Sequence, residues 1–109
     1  MAGSACALGC PAPARARLQG FDAWLLPTVP LLASPLAELE ADDDRFSATN
    51  ALALRNPSVL NFFDGCALTL PCGEPGALPV GLSVAGLHGA DARVLRIGRA
   101  VEAVLATAD

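Results

Sequence analysis

Of the 109 residues, 53% are hydrophobic and 17% charged, and seven basic residues against eleven acidic ones give a formal net charge of -4. This length fits one domain and not two. The apolar content argues against disorder, and scattered arginines on an acidic chain exclude a polybasic nucleic-acid or anionic-membrane binder. All seven basic residues are arginine, so no mechanism that needs a lysine can run on this chain alone.

A folded monomer of this size exposes roughly 5,600 Å² of the roughly 16,000 Å² its unfolded chain offers. With so few charges, that surface must be unusually apolar. Extensive exposed apolar surface signals a partner or the absent remainder of a domain.

Residues 1–20 are rich in alanine, glycine and proline and carry no hydrophobic period. They read as a poorly ordered lead segment, or as a helix ending near Gly20 if Ala14–Gln19 is helical. Met1 to Cys10 lacks the basic region and apolar length of an export signal. Prolines and charges interrupt every apolar stretch well short of the ~20 residues a membrane helix needs. A cytoplasmic, reduced location is expected. Residues 21–109 form the expected folded unit.

Phe21–Leu26 reads as a short buried strand stopped by Pro27. Pro27, Pro30 and Pro35 make the following stretch an extended loop. Asp42, Asp43 and Asp44 resemble a metal-binding acid cluster, but a helix start explains them better. Asp42 is a cap, and its two neighbours complement the positive end of the helix dipole. The helix is expected to reach about Leu54, with Phe46, Asn50, Ala53 and Leu54 on one side, and to stop before Pro57. Ser58–Phe63 is expected to form a further helical turn that packs Val59, Leu60, Phe62 and Phe63 into the core.

Ala67–Leu70 reads as a strand ended by Pro71, and 72–76 as a loop. Val80–Ala85 reads as a second strand, with Val80, Leu82 and Val84 alternating against Gly81, Ser83 and Ala85. The connection length allows an antiparallel pair. Asp91 then caps a helix over about Ala92–Ala106. Its apolar stripe is Val94, Ile97, Val101, Val104 and Leu105, with Leu95 beside it and the arginines on the wet side.

Four cysteines, Cys6, Cys10, Cys66 and Cys72, have poor spacing for a zinc site. Cys66 and Cys72 read as small buried apolar residues. A cysteine-based metal or redox module using these four thiols is a third reading, and no metal or cofactor is expected. The lone His88 reads as a solvated turn residue. No Gly-rich phosphate loop and no Gly-x-Ser-x-Gly elbow occurs in the sequence. The densest polar group in an apolar setting is Arg55-Asn56-Pro57-Ser58, followed by Asn61. Arginine and asparagine together can hold a carboxylate or an amide, although Asn56 and Asn61 can equally serve as helix caps. Arg55, Asn56 and Ser58 are therefore the candidate substrate-binding residues, with no candidate catalytic residue.

The order of segments resembles the C-terminal stretch of the amidase signature family. Phe21-Asp22-Ala23-Trp24-Leu25-Leu26-Pro27-Thr28-Val29-Pro30 is similar to its strand and proline–threonine loop, and Arg55-Asn56-Pro57-Ser58 with Asn61-Phe62 follows at a similar distance. Ala67-Leu68-Thr69-Leu70-Pro71-Cys72-Gly73 and Leu78-Pro79-Val80-Gly81-Leu82 resemble its C-terminal hairpin. Asp91-Ala92-Arg93-Val94-Leu95 resembles the start of its closing helix. The resemblance covers about residues 21–106.

It implies a partial α/β amidase fold: short strands with an antiparallel hairpin, flanking helices and a C-terminal helix. It also implies amide hydrolysis, or ammonia transfer as in the tRNA-dependent amidotransferases, by two serines and a lysine that lie elsewhere in the family's domain. This chain would then be a C-terminal fragment, inactive alone, whose Arg55-Asn56-Pro57-Ser58 segment faces the cleft for a small amide or urea-like substrate. The amidotransferase branch has an acidic residue near this region, where this chain offers Leu54 and Arg55, and that departure favours the general amidase branch. The alternative is a small interaction module that docks on a partner, such as the other half of a split amidase.

Overall fold

The computed structural model describes residues 11–108. In chain order the elements are α1 (Pro11–Leu18), β1 (Trp24–Pro27), α2 (Leu36–Glu40), α3 (Asp43–Phe62), β2 (Cys66–Pro71), β3 (Gly81–Gly86) and α4 (Asp91–Ala106). The three strands form one antiparallel sheet in the order β1-β3-β2. The architecture is mixed α/β, as the sequence predicts, with the hairpin followed by a C-terminal helix.

β3 sits at the centre. Val84 pairs with Leu25 on one side and Leu68 on the other, and Leu82 pairs with Pro27 and Leu70. Paired residues in antiparallel strands point to the same face, so these rows cross the sheet on a single side. That side carries the core. Leu70, Val84 and Val94 are buried together, with Ala23, Cys66, Leu68, Ala90, Ile97, Val101 and Leu105 packed around them. Val84 is 0% exposed.

α4 lies on this face because its apolar positions recur with a helical period. Its flanking Leu95 and Val104 are left exposed, Val104 at 67%. Val104 thus departs from the expected stripe and lies on the exposed flank of α4. Gly98 is buried against Leu68, where a side chain would collide. Asp91 is not the cap of α4. Ala90 holds that position without a side-chain bond, and Asp91 is the first helical residue, beside the positive end of the dipole.

Other expectations need correction. β1 is an edge strand whose residues alternate between half-buried and exposed, not a buried strand, and it begins at Trp24 rather than Phe21. Pro27 stands within it, as an edge permits, since the missing N–H would have pointed away from the sheet. In β3 the expected alternation gives way to burial on both faces, because a central strand has neighbours all round: Ser83, Val84 and Ala85 are all buried. Val80 lies outside the strand and is exposed.

α3 does not stop before Pro57 but runs through it to Phe62. A proline inside a helix removes one backbone bond and typically costs about 3 kcal/mol. The helix is held on both sides of that break. Asp42 Oδ1 accepts from the N–H groups of Asp44 (3.0 Å) and Arg45 (3.1 Å) at its start. Asn56, just before the proline, donates from Nδ2 to the carbonyl of Pro27 at 2.7 Å. After it, the Leu60 carbonyl accepts from the N–H of Gly65 at 2.8 Å.

The covered stripe of α3 is Thr49, Ala53, Asn56, Pro57 and Leu60. Phe46 and Leu54 are exposed, as are Val59 and Phe62, which do not enter the core as expected. α2 precedes α3 and is tied to it by an Arg45–Glu38 ion pair.

The described structure is a slab 18 Å thick with a radius of gyration of 16.5 Å, against about 13 Å for a compact domain of about 100 residues. It exposes 7784 Å², well above the roughly 5,600 Å² expected for a monomer of this mass. Among the described residues, no helix is long and apolar enough to cross a membrane.

Candidate functional site

The candidate residues Arg55, Asn56 and Ser58 sit in the second half of α3, around its proline. Arg55 and Ser58 are exposed and three residues apart, so they share one side of the helix. Asn56 is half-buried and turned toward β1. Its Oδ1 accepts from Arg55 Nε at 3.3 Å while its Nδ2 reaches the Pro27 carbonyl. The structure thus brings Arg55 and Asn56 together, leaves the terminal nitrogens of Arg55 and the Ser58 hydroxyl facing outward, and gives Asn56 a second task. Its amide anchors α3 to the end of β1.

Next to that anchor lies a group the sequence did not reveal. Thr28 Oγ1 and Ser83 Oγ are 2.8 Å apart, Thr69 Oγ1 and Ser83 Oγ 3.3 Å, and Thr28 donates to Thr69 at 3.3 Å. One hydroxyl comes from each strand or its extension, and Ser83 is buried at the centre. Gly81 makes room for it, since a Cβ there would sit 2.8 Å from Thr28 Oγ1. The three hydroxyls satisfy one another, and among the described residues none is paired with an imidazole or carboxylate that could act as a base, so the cluster ties the strands together. A polar residue at matching register in otherwise apolar strands (Thr69 opposite Ser83) is the only signal the sequence offered.

A cleft of about 610 Å³ opens elsewhere, between the α1–β1 connection and the β3–α4 turn. Arg15, Gln19, Asp22, Trp24, His88 and Arg93 are among its lining residues; Arg55, Asn56 and Ser58 are not. His88 Nδ1 lies 3.0 Å from Asp64 Oδ2, with both side chains largely exposed. The solvated reading of His88 therefore holds, with a carboxylate beside it. Among the described residues, the buried serine, Ser83, bonds to Thr28 and Thr69 and not to His88.

The cysteines divide. Cys66 is half-buried and its Sγ lies 3.6 Å from the Leu87 carbonyl. Burial, then the nearby Asp91 charge, push its thiol pKa up, as for an unreactive structural thiol. Cys72 is exposed, which corrects the expectation that it is buried: it lies just past β2, where the ladder runs out into the 72–80 loop. The length of β2 separates the two by about 20 Å, so they cannot share a metal. Among the described residues no group of three or more His, Cys, Asp or Glu side chains is placed to hold one. Cys6 and Cys10 lie outside the described residues.

Known proteins similar to this chain were found by sequence. A 2-amino-5-chloromuconic acid deaminase from Comamonas testosteroni is 35% identical over 97 residues, which are 88% of this chain and 21% of the deaminase. An indoleacetamide hydrolase from Agrobacterium vitis is 37% identical over 89 residues, 79% of this chain and 19% of the hydrolase. A glutamyl-tRNA(Gln) amidotransferase from Salinispora tropica is 34% identical over 84 residues, 77% of this chain and 16% of the matching amidotransferase chain. In each case the matching stretch is a short C-terminal segment. The chain thus spans about a fifth of the length of these relatives. No family profile matches the chain, and no solved structure matches it.

Proposed function

Because the chain is a C-terminal segment of the amidase signature family, we propose that it completes a hydrolase acting on carbon–nitrogen amide bonds and supplies no nucleophile or base itself. The observation that carries this reading is the confinement of its similarity to the last fifth of much longer relatives. The composition supports it: the family's lysine must come from elsewhere, since this chain has none. Among the described residues, the Ser83 hydroxyl bonds to threonines and His88 pairs with the Asp64 carboxylate.

In the complete protein, residues 21–109 form the amidase-like unit and 1–20 a lead segment. Arg55 and Ser58 face a small amide or urea-like substrate, and Asn56 holds their helix against the sheet. The deaminase, the amide hydrolase and the amidotransferase among the relatives share chemistry at carbon–nitrogen bonds. The two serines and the lysine come from a complementing N-terminal amidase part, and the location is the cytoplasm.

The second reading, an interaction module, is favoured by the excess exposed surface, 7784 Å² against the roughly 5,600 Å² of a free-standing monomer. It merges with the first if the partner is that N-terminal part. The test is to purify the chain alone and offer it indole-3-acetamide and other small amides. No ammonia release above the blank is expected. Turnover that disappears in Ser83→Ala or His88→Ala would overturn the reading.

A further inference from the structure

We propose that the outer edge of β1, rather than that of β2, receives the rest of the amidase domain. A strand from the sequence that precedes this segment in the longer relatives pairs with β1, beneath an element lying beside α4 and over Leu25. The proposal rests on the family membership above and identifies the surface through which it operates.

The cover of the sheet carries the argument. The row Leu68–Val84–Leu25 crosses the α4 face from β2 to β1. Leu68 is half-buried, Val84 is 0% exposed, and Leu25 is 56% exposed. The parallel row runs from Leu70, 6% exposed, through half-buried Leu82 to exposed Pro27. Both rows pass from covered to bare in the same direction. α4 packs on β2 and β3. A helix about 10 Å wide covers about two strands spaced about 4.8 Å apart, so α4 has no width left for β1. The next helix-sized element must lie over β1 and over one further strand beyond it.

The backbone agrees. The Thr28 N–H bonds the Gly81 carbonyl, so by antiparallel alternation Leu26 and Trp24 also face β3, while Leu25 and Pro27 face outward. The Pro27 carbonyl is taken by Asn56. Leu25 therefore offers both its N–H and its C=O to a new neighbour, between Asn56 at one end and exposed Phe21 before the strand. The outward residues of β2, Ala67 and Thr69, also have free backbone groups. Their side chains, however, are small or hydroxylic and exposed, as at an edge that stays in water. The hydrophobic side chains of β2 are already covered by α4.

The occupant follows from the relatives, in which about four fifths of the chain precede the matching segment. To test this, the chain is co-expressed with a tagged Comamonas testosteroni deaminase from which the matching C-terminal segment has been deleted. Co-elution and amide hydrogen exchange are then measured. Equimolar co-elution is expected, with exchange at Leu25 slowed at least about tenfold and exchange at Ala67 and Thr69 as in the free chain. Leu25→Pro and Ala67→Pro each remove an outward N–H and no bond within this sheet. The first should weaken the complex by about tenfold or more and the second by less than about twofold. Circular dichroism of each free variant checks its fold, and Leu25→Glu gives a second variant if the proline does not fold.

Absence of co-elution, or protection at Ala67 and Thr69 with Leu25 unchanged, overturns the proposal. Ammonia release by the same complex reads the hydrolase assignment separately. Docking through β1 without turnover contradicts that assignment alone, and turnover insensitive to Leu25→Pro contradicts the β1 edge alone.

Discussion

Asn56 is where the candidate site and the fold meet, and its substitution separates the two roles. Its Nδ2 donates to the Pro27 carbonyl at 2.7 Å from a half-buried position, in the residue before a helix-interior proline. Asn56→Ala deletes that bond and the one accepted from Arg55. Water can reach the freed carbonyl, so the loss should be that of an ordinary hydrogen bond, about 1 kcal/mol. Asn56→Asp is the sharper perturbation. Near neutral pH it places a carboxylate against the Pro27 carbonyl, two acceptors with no proton between them, and should cost about 1–3 kcal/mol. Protonation of that carboxyl restores a donor. The Pro27 carbonyl raises its folded pKa above the unfolded value of about 3.9 against the opposing pull of Arg55 on the other oxygen, and to the extent that the carbonyl prevails the stability difference from the parent is smallest below that pH and grows as pH rises through the folded pKa. The assay is urea unfolding followed by the fluorescence of Trp24, the single tryptophan, three residues from Pro27 in β1. Unfolding midpoints that do not change in Asn56→Ala, or an Asn56→Asp variant no less stable than Asn56→Ala at pH 7 and unaffected by acid, would refute the anchoring role.

Two further predictions follow from close packing and from burial. A Cβ at Gly65 would lie 2.7 Å from the backbone carbonyl of Gly86, so Gly65→Ala must shift β2 against β3 and should cost about 1–3 kcal/mol in thermal or urea unfolding; an unchanged midpoint would contradict the packing. Because burial and Asp91 raise the Cys66 thiol above its ordinary 9.0, its contribution to stability is complete below about pH 9 and is lost as pH rises through the folded pKa. Peptide mapping after iodoacetamide treatment at pH 8 should show exposed Cys72 alkylated before Cys66, and the reverse order would refute the assignment.

Much of the fold was legible because its signals are local. Asp42 caps α3 through the backbone N–H groups expected of it. The Ala67–Leu70 and Val80–Ala85 strands pair antiparallel within a residue or so of their expected bounds, and α4 follows its 3.6-residue stripe at Val94, Ile97, Val101 and Leu105. The errors came from features set by tertiary neighbours. Pro57 looked like a helix end because propensity weighs only the helix itself, whereas the Asn56 side chain ties it to β1 from outside and the Gly65 N–H closes its end on the Leu60 carbonyl. Phe21–Leu26 looked buried because its composition suits a strand with neighbours on both sides, and here it has one. Val59 and Phe62 were assigned to a core for the same reason, yet are exposed. The hydroxyl cluster was invisible because Thr28, Thr69 and Ser83 lie far apart in the chain and meet only through strand register.

The central claim is that this chain closes an amidase whose chemistry lies outside it. The most direct measurement adds the purified chain to an amidase-family N-terminal part lacking its own C-terminal fifth, and follows ammonia release from indole-3-acetamide. The expected result is no release from either component alone and saturable release from the mixture, reduced by Arg55→Ala with the complex still formed. Release by the chain alone, or a stable folded complex that releases none, would contradict it.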